Sequence, residues 1–222
     1  MPETLSWTRE AWREALPVYN GIIAHPFIKE LASGTLATER FDRYLAQDEV
    51  YIGNYGRQMF ELAALIPDPE EKAMFEAFAH EGLEGEKAMH ALLIDRFGID
   101  TAAHPSPITA EYNAHSEAAI RTGSKEIGLA AMLPCMWVYN EVGKHILSIA
   151  STDGNPYAEW IAEYGNDAFT EGVNAVLAMA DRYAAAADEA TRARMTEEFV
   201  AATRFEYWFW DWGYCGEDRR LF

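Results

Sequence analysis

The chain has 222 residues, half of them apolar and 24% charged, enough for a buried core that needs no covalent staples. Its 18 basic residues against 36 acidic ones give a net charge of −18, which argues against nucleic-acid binding by phosphate neutralisation and against docking on anionic membranes. No apolar run approaches the roughly 20 residues that span a bilayer.

The first residues, from Met1 to Trp12, are acidic and polar early and do not read as a signal peptide. Two cysteines, Cys135 and Cys215, make no disulfide framework and fit a cytoplasmic protein with reduced thiols. β-Branched alternation is nearly absent. Ala, Glu, Met and Leu dominate, and apolar residues recur every three or four positions, so we expect one all-α domain over residues 1–222, a helical bundle.

Helices are expected at about 7–32, 37–66, 69–97, 107–121, 125–151, 156–183 and 188–213. Ser33-Gly34, Pro67-Asp68-Pro69, Gly98, Pro105-Ser106-Pro107, Thr122-Gly123 and Asp153-Gly154-Asn155-Pro156 mark the turns between them. Pro26 should bend the first helix, and Gly165 should break the sixth.

Three of these helices carry aromatic stripes that also hold an acid or a thiol. On the second, Phe41, Tyr44, Asp48, Tyr51 and Tyr55 share one face. A carboxylate in that row needs a partner. It either bonds to neighbouring tyrosines or receives an amino group from a flat ligand. On the fifth, Cys135 and Tyr139 lie one turn apart beside Pro134, which removes a backbone hydrogen bond and should kink the helix. Cys135 reads as a small core residue or as a nucleophile aimed into a cavity. On the last, Glu206 sits among Phe199, Phe209 and Trp210. It is either a structural acid, paired with an arginine, or a carboxyl whose pKa is raised so that it holds a proton near neutral pH.

The run His25-Pro26-Phe27, Gly34-Thr35-Leu36 and Phe41-xx-Tyr44-xx-Gln47-Asp48-xx-Tyr51 resembles the start of the thiaminase II (TenA) family. So do Leu133-Pro134-Cys135-xx-Val138-Tyr139-xx-Val142-Gly143, Tyr157-xx-Trp160-Ile161-xx-Tyr164 and Phe205-Glu206-xx-Phe209-Trp210. The motifs keep the family's order from about Trp7 to Trp212, and Cys135 places the chain with the cysteine-containing members.

The resemblance implies a haem-oxygenase-like fold, a homotetramer and one pyrimidine pocket per subunit; neither a cofactor nor a metal is expected. It implies an aminopyrimidine aminohydrolase. Such an enzyme converts 4-amino-5-aminomethyl-2-methylpyrimidine to its hydroxymethyl analogue and ammonia in thiamin salvage, and some members also cleave thiamin. By position, Cys135 matches the nucleophile, Glu206 the acid that protonates a ring nitrogen, and Asp48 the carboxylate that holds the exocyclic amino group. Tyr51, Tyr112, Tyr139 and Tyr164 match pocket tyrosines, and Phe209 a wall residue.

Two other classes compete. A di-iron oxygenase could draw on Glu81, Glu84 and His90, and on Glu141 with His145 at i, i+4. However, Glu141 and His145 also suit a helical hydrogen-bonded pair, and Glu81, Glu84 and Glu86 suit a solvated face. Residues 156–183 and 188–213 contain no histidine, which disfavours a metal pair. Haem ligation by His25 is disfavoured by Pro26, which follows it. The remaining alternative is a non-catalytic pyrimidine-binding or regulatory protein on the same fold.

Overall fold

The computed structural model describes residues 6–101, 103–150, 153–164 and 166–220. The reading of the first residues as no signal peptide, and the helix break assigned to Gly165, rest partly or wholly on residues outside these. Among the described residues there are nine helices: α1 (Trp7–Ala24), α2 (Pro26–Ala32), α3 (Thr38–Ala63), α4 (Pro69–Phe97), α5 (Pro107–Arg121), α6 (Lys125–Ile149), α7 (Ala158–Tyr164), α8 (Asp167–Ala186) and α9 (Glu189–Cys215). None is long and apolar enough to cross a membrane.

The expected first helix is two helices rather than one bent rod. The residue before a proline is driven out of helical geometry, and His25 is extended at φ −64°, ψ 139°. Its Nδ1 then accepts the Phe27 amide at 3.1 Å, capping α2. The expected sixth helix also divides. α7 stops at Tyr164, and the Asn166 side chain caps α8 by accepting the Phe169 amide at 2.7 Å. Other boundaries follow local chemistry. Asp68 caps α4 ahead of Pro69, Ser106 caps α5 ahead of Pro107, and left-handed Gly98 ends α4 at φ 66°.

α6 runs unbroken past Pro134. It is apolar nearly all round, with Leu129 to Pro134 buried, as suits a helix enclosed by neighbours. Its most extensive packing is against α9, and it also meets α5, α7 and α8. α3 packs on α4, α5 and α9. Trp160 and Trp210 are fully buried between these helices, and Tyr44 stacks on Trp210 with centroids 4.7 Å apart. This aromatic floor fixes α3, α6, α7 and α9 around one cavity.

Candidate active site

The cavity opens between α3, α4, α6, α7 and α8. Its wall includes Asp48, Tyr51 and Tyr55 from α3, Glu86 from α4, Cys135 and Tyr139 from α6, Glu163 and Tyr164 from α7, and Phe169 from α8. The three-and-four spacing on α3 does what it predicts: Phe41, Tyr44, Asp48, Tyr51 and Tyr55 are all buried. Of the residues singled out in the sequence, Asp48, Tyr51, Cys135, Tyr139 and Tyr164 meet on this wall.

Glu206, Tyr112 and Phe209 stand one layer back. Tyr112 donates a 2.5 Å hydrogen bond from its hydroxyl to Glu206 Oε1, and both residues are buried. The Tyr112 ring stacks between Tyr51, at 4.8 Å, and Phe205, at 5.2 Å. Phe209 packs on Tyr51 at a tilt, 5.9 Å between centroids, and meets Tyr44 edge to face at 5.7 Å. The expectation of an arginine beside Glu206 gives way to a tyrosine, because α5 delivers Tyr112 between α3 and α9.

Asp48 departs from expectation in a similar way. It is bonded by a histidine: His90 Nε2 lies 3.3 Å from Asp48 Oδ2, and His90 Nδ1 lies 2.7 Å from Glu49 Oε2. Burial opposes a charge on His90, but the bonds and charges of Asp48, Glu86 and Glu49 raise its pKa to about 9. His90 is therefore an imidazolium near neutral pH, donating from both nitrogens.

Glu86 corrects the reading of a solvated face on α4. Glu81 and Glu84 are exposed, as that reading has it. Glu86 turns inward and accepts a 2.5 Å hydrogen bond from the Tyr164 hydroxyl. The helical pair expected of Glu141 and His145 also fails, since the Glu141 carboxylate pairs with Lys144 at 2.8 Å.

One close approach sets the height of Tyr164 over the cavity. A Cβ on Gly143 would lie 2.4 Å from the Tyr164 carbonyl oxygen, so only glycine lets α7 rest on α6 there. The glycine of the Val142-Gly143 motif thus positions a site tyrosine.

The electrostatics favour neutral acids. Burial raises the Glu206 pKa to about 8; the Tyr112 bond opposes this, while the charges of Asp48 and Glu86 add to it. Glu86 is likewise pushed up to about 8 by burial and by Asp48, against the pull of His90 and Tyr164. Burial, Glu206 and Glu86 hold the Cys135 thiol well above its usual range, partly offset by Tyr51. The Tyr51 hydroxyl itself makes no hydrogen bond of ordinary geometry. Cys135 is partly exposed to the cavity rather than sealed in the core. The cavity wall thus presents a thiol, the Glu86 carboxyl and the Tyr51 hydroxyl, with the Glu206 carboxyl one layer behind.

Asp48, Glu86 and His90 bring one ligand-type atom each to within 4.8 Å of one another. Both ring nitrogens of His90 are already engaged, by Asp48 and by Glu49, and the group borders the cavity through Asp48 and Glu86. Sequence reasoning missed Glu86 and the His90–Asp48 bond. The i, i+4 spacing of Glu86 and His90, on the face that also carries buried Ala79 and Leu93, was the available signal.

The profile of the TENA/THI-4/PQQC family matches residues 12–217. An aminopyrimidine aminohydrolase of Bacillus subtilis is 31% identical over 218 residues, covering 96% of this chain and 92% of that protein. The solved structure of a TenA homologue from Pyrococcus furiosus superposes with a TM-score of 0.88 at 24% identity, over 94% of this chain and all of that one. A Shewanella denitrificans domain with a haem oxygenase-like fold superposes at 0.72 and 17% identity, over 99% of this chain and all of that one. The helical architecture is therefore haem-oxygenase-like.

Proposed function

The chain belongs to the TENA/THI-4/PQQC family, and we propose that it is an aminopyrimidine aminohydrolase of thiamin salvage. Its preferred substrate is 4-amino-5-aminomethyl-2-methylpyrimidine, with thiamin as a second. The observation that carries this reading is the cavity itself: Cys135 and Asp48 line it together with tyrosines from three helices, and Glu206 stands behind it, bonded by Tyr112. The curated relative of B. subtilis bears that activity's name.

The chemistry balances with these groups. A flat pyrimidine lies among Tyr51, Tyr139 and Tyr164, and its exocyclic amino group donates to Asp48. Cys135 adds its sulfur to the ring carbon beside the substituted one. A ring nitrogen gains a proton from Glu206, and the thiol proton replaces it on that carboxyl. The lone pair of the exocyclic amino group then expels the amine, and the methylene–nitrogen bond breaks with its electrons on nitrogen. The amine departs from its ammonium form as ammonia, water adds to the methylene carbon, and the proton that this water loses passes to the ammonia. Loss of the thiolate restores the ring: the sulfur takes its proton back from Glu206, and the ring nitrogen returns its proton to that carboxylate. Covalent addition splits one hard displacement into easier steps, and neutral Glu206 supplies a proton where a solvated carboxylate could not.

The reading includes a single-domain cytoplasmic chain assembled as a homotetramer, with a small-molecule partner and no cofactor. Exposed Phe60, Leu92, Leu147 and Ile149 are apolar surface that such an assembly would cover.

The test is ammonia release from 4-amino-5-aminomethyl-2-methylpyrimidine, with thiamin and Cys135→Ala in parallel. The expected result is release faster than thiamin cleavage, falling by about a thousandfold or more in Cys135→Ala. Tight pyrimidine binding without release would make the protein a binder on this fold. Turnover unchanged by Cys135→Ala would remove the covalent step.

A further inference from the structure

The acids on the cavity wall outnumber the cations that answer them. His90 uses both ring nitrogens, one on Asp48 at 3.3 Å and one on Glu49 at 2.7 Å. Glu86, the third carboxylate facing this histidine, has the neutral Tyr164 hydroxyl as its hydrogen-bond donor. Glu163 adds a further acid on the same wall. It lies so close to α4 that a Cβ on Gly85 would be 2.7 Å from its Oε1. None of the steps above uses Glu86 or Glu163.

Glu86 shares the one nearby cation, His90, with Asp48 and Glu49, and a carboxylate left short of positive charge in a low-dielectric site favours keeping its proton. Burial and the Asp48 charge do this to Glu86, raising it to about 8. Burial raises Glu163 in the same direction. Besides Asp48, His90 and Glu163, the titratable groups around Glu86 are Tyr51 and Tyr55 from α3, Cys135 and Tyr139 from α6 and Tyr164 from α7, none of which supplies a positive charge. The cavity thus holds a proton where a ligand cation would fit. A second feature points to a polar ligand in the same space: the Tyr51 hydroxyl, on a residue 4% exposed, makes no hydrogen bond of ordinary geometry.

We propose that Glu86 is the specificity residue for the leaving group, the counter-ion that selects a positively charged substituent on the pyrimidine's methylene. This rests on the aminohydrolase reading, because it uses the pose in which Asp48 holds the exocyclic amino group. The methylene is attached to the neighbouring ring carbon. A group on it can therefore reach Glu86, a wall carboxylate within 4.8 Å of the Asp48 carboxylate. Both leaving groups considered above are cationic before they depart: an ammonium on the aminomethyl compound and a thiazolium on thiamin. The hydroxymethyl product is neutral. Glu86 therefore holds substrate and lets product go. On binding, the ligand cation replaces the Glu86 proton, which passes to solvent.

The test is calorimetric binding in a Cys135→Ala background, which blocks turnover, with and without Glu86→Gln. The ligands are 4-amino-5-aminomethyl-2-methylpyrimidine and its hydroxymethyl analogue. Titrations run at pH 7 in two buffers of different ionisation enthalpy. With Glu86 present, the amine should bind about tenfold more tightly than the alcohol, releasing close to one proton. Glu86→Gln should weaken the amine about tenfold, abolish proton release and leave the alcohol nearly unchanged. Equal loss for both ligands would make Glu86 merely structural and overturn the proposal, as would unchanged amine affinity. If Glu86→Gln does not fold, the buffer comparison with Glu86 intact decides alone: binding of the amine without proton release overturns it. Alcohol binding keeps the aminohydrolase reading standing when the Glu86 proposal fails. Binding of neither ligand overturns both.

Discussion

The Tyr112 hydroxyl donates to Glu206 Oε1 at 2.5 Å, and both side chains are buried. This bond favours the ionised carboxyl and so restrains a pKa that burial drives up to about 8. Tyr112 is a positioning residue: it sets the proton affinity and orientation of the acid. Tyr112→Phe removes the donor and keeps the stacking on Tyr51 and Phe205. The Glu206 pKa should then rise, and the alkaline limb of the kcat profile should move up by about half a unit or more. A pH–rate profile checks this. An unmoved limb with lower activity would reduce Tyr112 to packing.

The free protein should lose stability as pH rises above neutrality. Glu86 and Glu206 each have a folded pKa of about 8 against an ordinary 4.5, and His90 has about 9 against 6.5. In each case the folded state holds a proton that the unfolded state has released. The stability from the carboxyls is fully present below about pH 4.5 and is lost toward 8. That from His90 is present below 6.5 and is lost toward 9. Each retained proton contributes a slope of about 1.4 kcal/mol per pH unit within its window. His25 and His115 are shifted down, first by burial, and so oppose the trend only below 6.5. Urea unfolding should show lower midpoints at pH 8 than at pH 6.5, with a flatter dependence in Glu206→Gln. A rise from pH 6.5 to 8 would mean that these acids are ionised in the folded protein.

The residues legible in the sequence share a contrast with their surroundings. Asp48 and Glu206 stand out because an acid interrupts an aromatic stripe, and Cys135 because a thiol follows a proline inside a helix. Glu86 lacked that contrast. α4 has buried Phe75, Ala79, Met89, His90 and Leu93, and the cavity lies along the stretch between. Periodicity reports burial against protein, so a helix that borders a cavity loses its stripe there. In a chain with 36 acids, one more in the Glu81–Glu86 stretch resembles solvated surface. The helix breaks differ in the same manner. Pro26 sits at the α1–α2 junction, but sequence could not say that His25 would leave the helix entirely and cap the next one.

Asp211 separates fold from chemistry. It is 2% exposed, lies 3.1 Å from His25 Nε2 and accepts Arg219 Nη2 at 2.6 Å. It thereby ties the end of α9 to the α1–α2 junction, away from the cavity wall. Asp211→Ala leaves His25 buried without its partner and should cost about 2 kcal/mol, less than a fully enclosed pair because Arg219 is half exposed. The Tm should fall, while kcat at a permissive temperature stays near the parent value. A large loss of kcat in a folded variant would show that this end of α9 sets the position of Glu206.

Gly143 tests how closely α7 must sit on α6. A methyl there meets the Tyr164 carbonyl oxygen at 2.4 Å and its carbonyl carbon at 2.5 Å. Backbone atoms cannot rotate aside as a flexible side chain could, so the helices must part. Overpacking of this kind costs about 1–3 kcal/mol. The displacement falls on the residue whose hydroxyl bonds Glu86 at 2.5 Å and whose ring packs 5.0 Å from Tyr139. Gly143→Ala should therefore lower the Tm and also raise KM for the aminomethyl pyrimidine. Tyr164→Phe should raise KM with a smaller stability loss, because it deletes the hydroxyl without moving the helix. If Gly143→Ala lowered stability but left KM unchanged, Tyr164 would not need its present height to serve the site.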